Sequence, residues 1–298
     1  MSAPSSDQTD LPRDWGHYLS NLAIVGLIRL TLMLPYALRV RMMGAAVQRV
    51  IGPLAGYKRR ALDNLAFIYP DMPARKRADI AAHCLNNVGR TFIENYSPDD
   101  FPARMAANAL EGDGVAPLEE AVAQGKPVIL VSGHYGNYEA TRAALVARGL
   151  NIGGLYRDMK NPYFNAHYVK TMEAFGGPVF AQGRRGTAGF VRHLKEGGQL
   201  VLLFDQHVFE APVFDFLGQP AHTAPSAAEL ALRYDAVLIP FYGIRQTDGL
   251  SFRTVLEAPI PPSDPITMTQ ALSDSLAERI KDDPAQWFWV HRRWRPQD

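Results

Sequence analysis

The chain has 298 residues, is 47% hydrophobic, and carries 31 Lys+Arg against 30 Asp+Glu. That length suits one large core-forming domain with an attached helical segment, and the near balance of charge argues against nucleic acid or another polyanion as a global partner. The single cysteine, Cys84, excludes an internal disulfide and fits a reducing compartment.

Residues 1–12 are polar and are predicted to form a disordered tail. No secretory signal is expected, because Arg13-Asp14 precedes the first apolar run and no small-residue cleavage site follows it. Residues 13–52 carry two apolar runs, Leu22 to Ile28 and Leu30 to Leu34, divided by Arg29 and followed by Pro35, Arg39, Arg41 and Arg49. A spanning helix needs roughly 20 mostly apolar residues, and an arginine at its centre costs about 3 kcal/mol. The pattern therefore predicts a membrane-associating helix in the bilayer interface, its arginines snorkelling to phosphates. Packing on the protein's own core is the alternative use of the same residues.

Residues 53–298 read as one catalytic domain. Helical patterns run from Tyr57 to Tyr69 and, after Pro73, to about Asn95; a loop and short helix fill the stretch from Leu110 to Gln124. Strand patterns are predicted from Val128 to Val131, Ile152 to Tyr156, Pro178 to Phe180, Leu200 to Phe204, Ala236 to Tyr242, and Phe252 to Leu256. Helical patterns alternate with them, ending in a long one from Thr267 to Lys281. This alternation predicts an α/β fold with a mostly parallel central sheet flanked by helices.

The stretch from Pro127 to Glu139 holds the candidate chemistry. A buried strand empties into Ser132-Gly133, His134 follows, and Glu139 opens the next helix. Groups at the carboxyl ends of strands gather into sites in open α/β sheets, and a His with a nearby carboxylate is the minimal general-base pair. Residues five apart on a regular helix lie about 140° apart around its axis, so His134 is expected before the helix, with Gly133 and Gly136 permitting irregular backbone. A capping His and a first-turn Glu would share this spacing. Arg157 and Asp205 end two further predicted strands, and three polar strand ends at one sheet edge strengthen the case for a site. Taken singly, Arg157 could be a surface ion-pair residue and Asp205 a loop cap.

Competing chemistries lack their signatures. No G-x-S-x-G elbow is present, and no P-loop or G-x-G-x-x-G follows a strand. Cys84 lies in a helical pattern far from the motif, and His134 with Glu139 supplies too few ligands for zinc unless His207 or His222 joins them. A base without its own nucleophile should activate a substrate hydroxyl for direct transfer.

The stretch from Ser132 to Glu139 resembles the H-x-x-x-x-D/E motif of glycerolipid-type acyltransferases, in the form used by the bacterial late acyltransferases of lipid A biosynthesis. Asn64 to Pro70 is similar to the family's N-L-x-x-x-[FY]-P segment, Leu155-Tyr-Arg157 to its second block, and Phe204-Asp-Gln206 to its D-Q block. Phe216-Leu-Gly218 with Thr223 resembles the element after that, and Pro284 to Trp294 resembles the P-x-Q-[YW]-x-W-x-H-R-R ending. His207 and the residues after it depart from the more usual acidic and glycine positions.

The resemblance implies an acyl donor on acyl carrier protein or coenzyme A, a hydroxylated lipid acceptor (a lipid A precursor), no metal or organic cofactor, and a place at the cytoplasmic face of the inner membrane. His134 would be the base and Glu139 its orienter. Arg157 or amides near Gly133 would hold the oxyanion, with Asp205 holding Arg157. Arg184, Arg185, Arg292 and Arg293 are candidate phosphate ligands, His291 standing beside the last two. A different glycerolipid, glycolipid or amino-acid lipid acceptor, or a catalytically silent membrane-binding protein, would share much of this pattern.

Overall fold

The computed structural model describes residues 14–294; the predicted tail, 1–12, lies outside them. The amino-terminal segment is several helices where the sequence suggests one. α1 (Trp15–Leu32) ends before Pro35, which cannot continue its hydrogen bonding; α2 (Tyr36–Ala46) then runs through a π turn (Val47–Ile51) into the short α3 (Gly52–Leu54). Among the described residues, no helix is long and apolar enough to cross a membrane. α2 is a core element: Tyr36, Val40 and Met43 join a cluster with Leu85, Ile93 and Tyr96. Arg39 is buried there, paired with Asp100 and donating to the carbonyls of Leu32 and Leu34, so it does not snorkel. α1 differs: Leu19, Leu22, Leu27, Leu30 and the following Met33 are exposed.

Two helices follow, α4 (Tyr57–Ile68) and the long α5 (Ala74–Asn95), then the short α6 (Phe101–Ala106), β1 (Leu110–Glu111) and α7 (Val115–Ala123). The α/β alternation begins with β2 (Val128–Ser132) and α8 (Tyr138–Val146), then β3 (Ile152–Tyr156), α9 (Pro162–Ala174), β4 (Val179–Ala181), α10 (Arg184–Lys195) and β5 (Gln199–Leu203). A hairpin, β6 (Val213–Phe216) and β7 (Gln219–His222), leads to α11 (Ser226–Arg233). Strands β8 (Val237–Arg245) and β9 (Phe252–Leu256) precede α12 (Pro265–Asp282).

Seven strands form one sheet in the order β1-β9-β8-β2-β5-β3-β4, parallel throughout except for the β8–β9 pair. β1 and the β6–β7 hairpin are strands that the sequence pattern does not predict. β2 is buried at every position, as a central strand covered on both faces must be. Its partners matter most for the site. β5 runs beside it in register, Val128 opposite Gln199 through Ser132 opposite Leu203, and β8 flanks its other edge.

Candidate active site

The in-register pairing of β2 and β5 builds the site. Ser132 lies opposite Leu203 and the amide of Phe204 donates to the carbonyl of Ser132, so the two chains leave the sheet side by side. Two residues beyond each strand stand His134 and Asp205. The Asp205 carboxylate accepts from the His134 amide at 2.8 Å, the His134 Nδ1 at 2.7 Å and the Trp287 indole Nε1 at 2.9 Å. Gly133 makes this approach possible: a Cβ there would come within 2.5 Å of the Leu276 side chain and 3.0 Å of Asp205 Oδ2.

Asp205 is fully buried. Burial alone would raise its carboxyl, but the His134 charge and hydrogen bonds, with help from His291, hold it well below the ordinary carboxylate range. An ionised carboxylate only accepts, so Nδ1 of His134 carries a proton, and in the neutral imidazole the lone pair is on Nε2. That is the tautomer a general base needs.

The expected partner of His134 is otherwise engaged. The sequence reading of the backbone holds, because His134 precedes the helix and Gly136 takes the left-handed conformation at φ 58°, where any Cβ would strike the carbonyl of Gly243. The pairing does not hold. Glu139 lies on the first turn of α8 with its carboxylate 3.0 Å from Arg142, one turn along the same helix. Arg142 is buried and also donates to the carbonyl of Gly176, so Glu139 compensates a buried cation that ties α8 to the loop after α9.

The turn bearing His134 is clamped from three directions. The Gly136 amide donates to the Gln286 carbonyl, the Asn137 amide to the Gly243 carbonyl, and the Phe288 amide to the His134 carbonyl, each at 2.9 Å. Asn137 caps α8 through the Glu139 amide and donates to Glu94 at 3.0 Å. Glu94 in turn takes both arms of Arg245, at 2.6 and 2.7 Å. All three side chains are buried, and the charge-assisted bonds between Glu94 and Arg245 are what make so polar a cluster tolerable.

The carboxy-terminal segment completes the site. Asn64 on α4 donates to the carbonyls of Trp289 and His291, at 2.7 and 2.8 Å, which pins that segment across the sheet edge. His291 consequently stands edge-to-face with His134, ring centroids 4.5 Å apart. Burial chiefly, and then the neighbouring His134, push His291 down to about 3 against the attraction of Asp205, so it remains a neutral imidazole.

Donor atoms of His134, Asp205 and His291 all lie within 4.8 Å of one another, close enough to hold a metal ion. Both Asp205 oxygens are already acceptors of N–H bonds, which marks the cluster as one that positions a proton.

Two cavities meet here. One, of ≈220 Å³, is walled by Cys84, Val88, Phe92, Tyr138, Trp287 and Phe288, with His134 at its edge. The other, of ≈480 Å³, is lined by Arg60, Arg157, His207, Phe288, His291 and Arg292 among others, with no carboxylate in its wall among the described residues. Phe288 belongs to both and divides them.

A family model described as bacterial lipid A biosynthesis acyltransferase matches residues 3–296. The chain belongs to that family. It is 26% identical over 296 residues to a lipid A biosynthesis lauroyltransferase of Escherichia coli strain K12, covering 95% of this chain and 92% of the other. It is 23% identical over 294 residues to a lipid A biosynthesis acyltransferase of Haemophilus influenzae, covering 94% and 87%. A phosphatidylinositol mannoside acyltransferase of Mycobacterium tuberculosis is 24% identical over 237 residues, 78% of this chain and 75% of its own.

In this acyltransferase, then, the sequence-derived site residues separate. His134, Gly133 and Asp205 come together. Arg157 is exposed on the far side of β5 and lines the cationic cavity with Arg292, so Asp205 holds His134 instead of Arg157. Arg293 is no phosphate ligand: it is buried, its guanidinium donating to the carbonyls of Gln206 and His222 and to Thr223 Oγ1. Arg184 and Arg185 are exposed at the start of α10 and line neither cavity. Sequence reading missed Arg60, Trp287 as a ligand of Asp205, and His291 beside the base. The signal for the last two was the density of hydrogen-bonding aromatics near the carboxy terminus.

Proposed function

We propose that the protein transfers a fatty acyl group from a carrier thioester, on acyl carrier protein or coenzyme A, directly to a hydroxyl of a lipid A precursor. The observation that carries this reading is the His134–Asp205 pair set between an apolar cavity and a cationic one. The acyl chain lies in the cavity walled by Val88, Phe92 and Trp287. Anionic phosphate, of donor or acceptor, lies with Arg60, Arg157 and Arg292.

His134 Nε2 takes the proton of the acceptor hydroxyl as its oxygen attacks the thioester carbonyl. The tetrahedral oxyanion collapses, the carbon–sulfur bond breaks, and the imidazolium returns the proton to the departing thiolate. Asp205 supports the imidazolium while it exists. A base of this kind contributes about 10²–10⁴-fold. Activity at the cytoplasmic face of the inner membrane, with α1 in the interface, places the enzyme where thioester donor and lipid acceptor meet.

Mass spectrometry of lipid products formed by the purified protein, with acyl carrier protein and coenzyme A thioesters in separate reactions, tests the reading. Acylation of a lipid A precursor that disappears in His134→Ala supports it. Transfer only to a glycosylated phospholipid, the alternative raised by similarity to the mannoside acyltransferases, would replace the acceptor. No transfer to any hydroxylated lipid would overturn the reading.

A further inference from the structure

The segment leaving Asp205 does not return directly to the core. The Ala211 amide donates to the Val208 carbonyl at 3.2 Å, closing a β-turn with Phe209 and Glu210 at its corners. Glu210 holds φ at 61°, a left-handed conformation unfavourable for a residue with a side chain, so the turn retains local strain. Phe209 is 80% exposed at the apex, with Val208 and Val213 also exposed beside it. An aromatic ring presented to solvent on a strained turn has no folding rationale.

The surroundings indicate what it meets. His207, two residues before Phe209, lines the cationic cavity. On another segment Tyr57 lines the same cavity, three residues after Leu54, which is 85% exposed. Exposed apolar side chains thus lie within one to three residues of the cavity lining on two chain segments, and Arg60, Arg157 and Arg292 lie in its wall. Exposed apolar groups beside a cluster of arginines match an anionic lipid surface, where apolar insertion and attraction to phosphates add.

We propose that the Val208–Ala211 turn is a membrane-docking element, inserting Phe209 into an anionic bilayer so that the cationic cavity opens onto the headgroups. It acts separately from α1. The proposal rests on the reading that the acceptor is a membrane lipid, and it supplies a route by which that lipid reaches His134 without leaving the bilayer entirely.

Site-directed fluorescence on the full chain tests it. Cys84 is buried and its thiol is pushed up to about 12 by burial, so a maleimide–NBD dye will label Phe209→Cys selectively. Gln124→Cys, in the turn before β2 at the opposite sheet edge, is the control. With vesicles of 30% phosphatidylglycerol in phosphatidylcholine, the dye at 209 should brighten and shift to the blue, while the dye at 124 should not respond. Phe209→Asp should weaken vesicle partitioning about tenfold or more, and Phe209→Leu should restore most of it. An unresponsive dye at 209 on sedimenting protein, or wild-type partitioning by Phe209→Asp, would overturn the proposal. So would a response to acyl carrier protein alone, which would assign the turn to a protein partner. The binding readout needs no turnover, so failure of the acyltransfer reading would show separately, as an inactive wild-type enzyme.

Discussion

His134 Nδ1 and Asp205 Oδ1 lie 2.7 Å apart although 71 residues separate them in sequence. The contact follows from two adjacent parallel strands ending in register, and it predicts how catalysis fails. Asp205→Asn would turn an amide N–H toward groups that already donate, and would free the imidazole to take the wrong tautomer. The expected loss in kcat is on the order of 10⁴-fold, the size seen when a base loses the carboxylate that fixes its tautomer. His134→Ala and Asp205→Ala combined should be little worse than either alone. Losses that multiply would show that the two side chains act independently.

Glu139 should behave as a stability residue. Its pair with Arg142 is enclosed, the two side chains being 11% and 2% exposed. Glu139→Gln leaves a buried guanidinium without its counter-charge, at a cost of roughly 3 kcal/mol. Urea unfolding should show this loss, while turnover per folded molecule stays within about tenfold of wild type. A collapse of kcat in a variant of unchanged stability would restore Glu139 to the chemistry.

Acid should destabilise the protein through His291. Its folded pKa of about 3 lies below the unfolded value of 6.5, so the unfolded chain binds the extra proton. The stability conferred by the neutral imidazole is complete above pH 6.5 and is lost as pH falls toward 3, with a slope approaching 1.4 kcal/mol per pH unit. Asp205 adds to the loss only below its unfolded value of 3.8, because its folded carboxyl titrates lower still. The groups facing His291 are His134, Asp205 and Arg293. Unfolding free energies of wild type and His291→Phe between pH 4.5 and 7 should diverge by this slope, and parallel curves would contradict the assignment.

The amino-terminal helices should separate by function. Deleting residues 1–34 removes α1, whose apolar side chains are largely exposed, and should lower vesicle binding about tenfold or more while the domain stays folded. Deleting residues 1–52 also removes α2, with Tyr36, Val40 and Met43 from the core, and should give aggregated or unfolded protein. Circular dichroism and vesicle sedimentation distinguish the outcomes. Full vesicle binding by the shorter deletion would show that α1 is not the anchor.

Much of this architecture was legible along the chain. The β-branched run at Val128 to Val131, the glycines around His134 and the alternation after it were enough for a mostly parallel sheet with His134 at a strand end. These are local properties: side-chain periodicity, turn chemistry and backbone freedom act over a few residues, and a linear reading captures them. The partner of His134 was not local. Glu139 is five positions away but caps and balances its own helix, whereas Asp205 reaches His134 only because β5, fourth in order after β1, inserts beside β2. Strand order is set by which faces bury together across the whole domain, and nothing near His134 encodes it. The same holds for the carboxy-terminal arginines. Arg292 and Arg293 are adjacent in sequence, yet one lines a solvent-open cavity and the other is sealed against Thr223. An extended backbone sends neighbouring side chains to opposite sides, and only the packing around them decides which side is water.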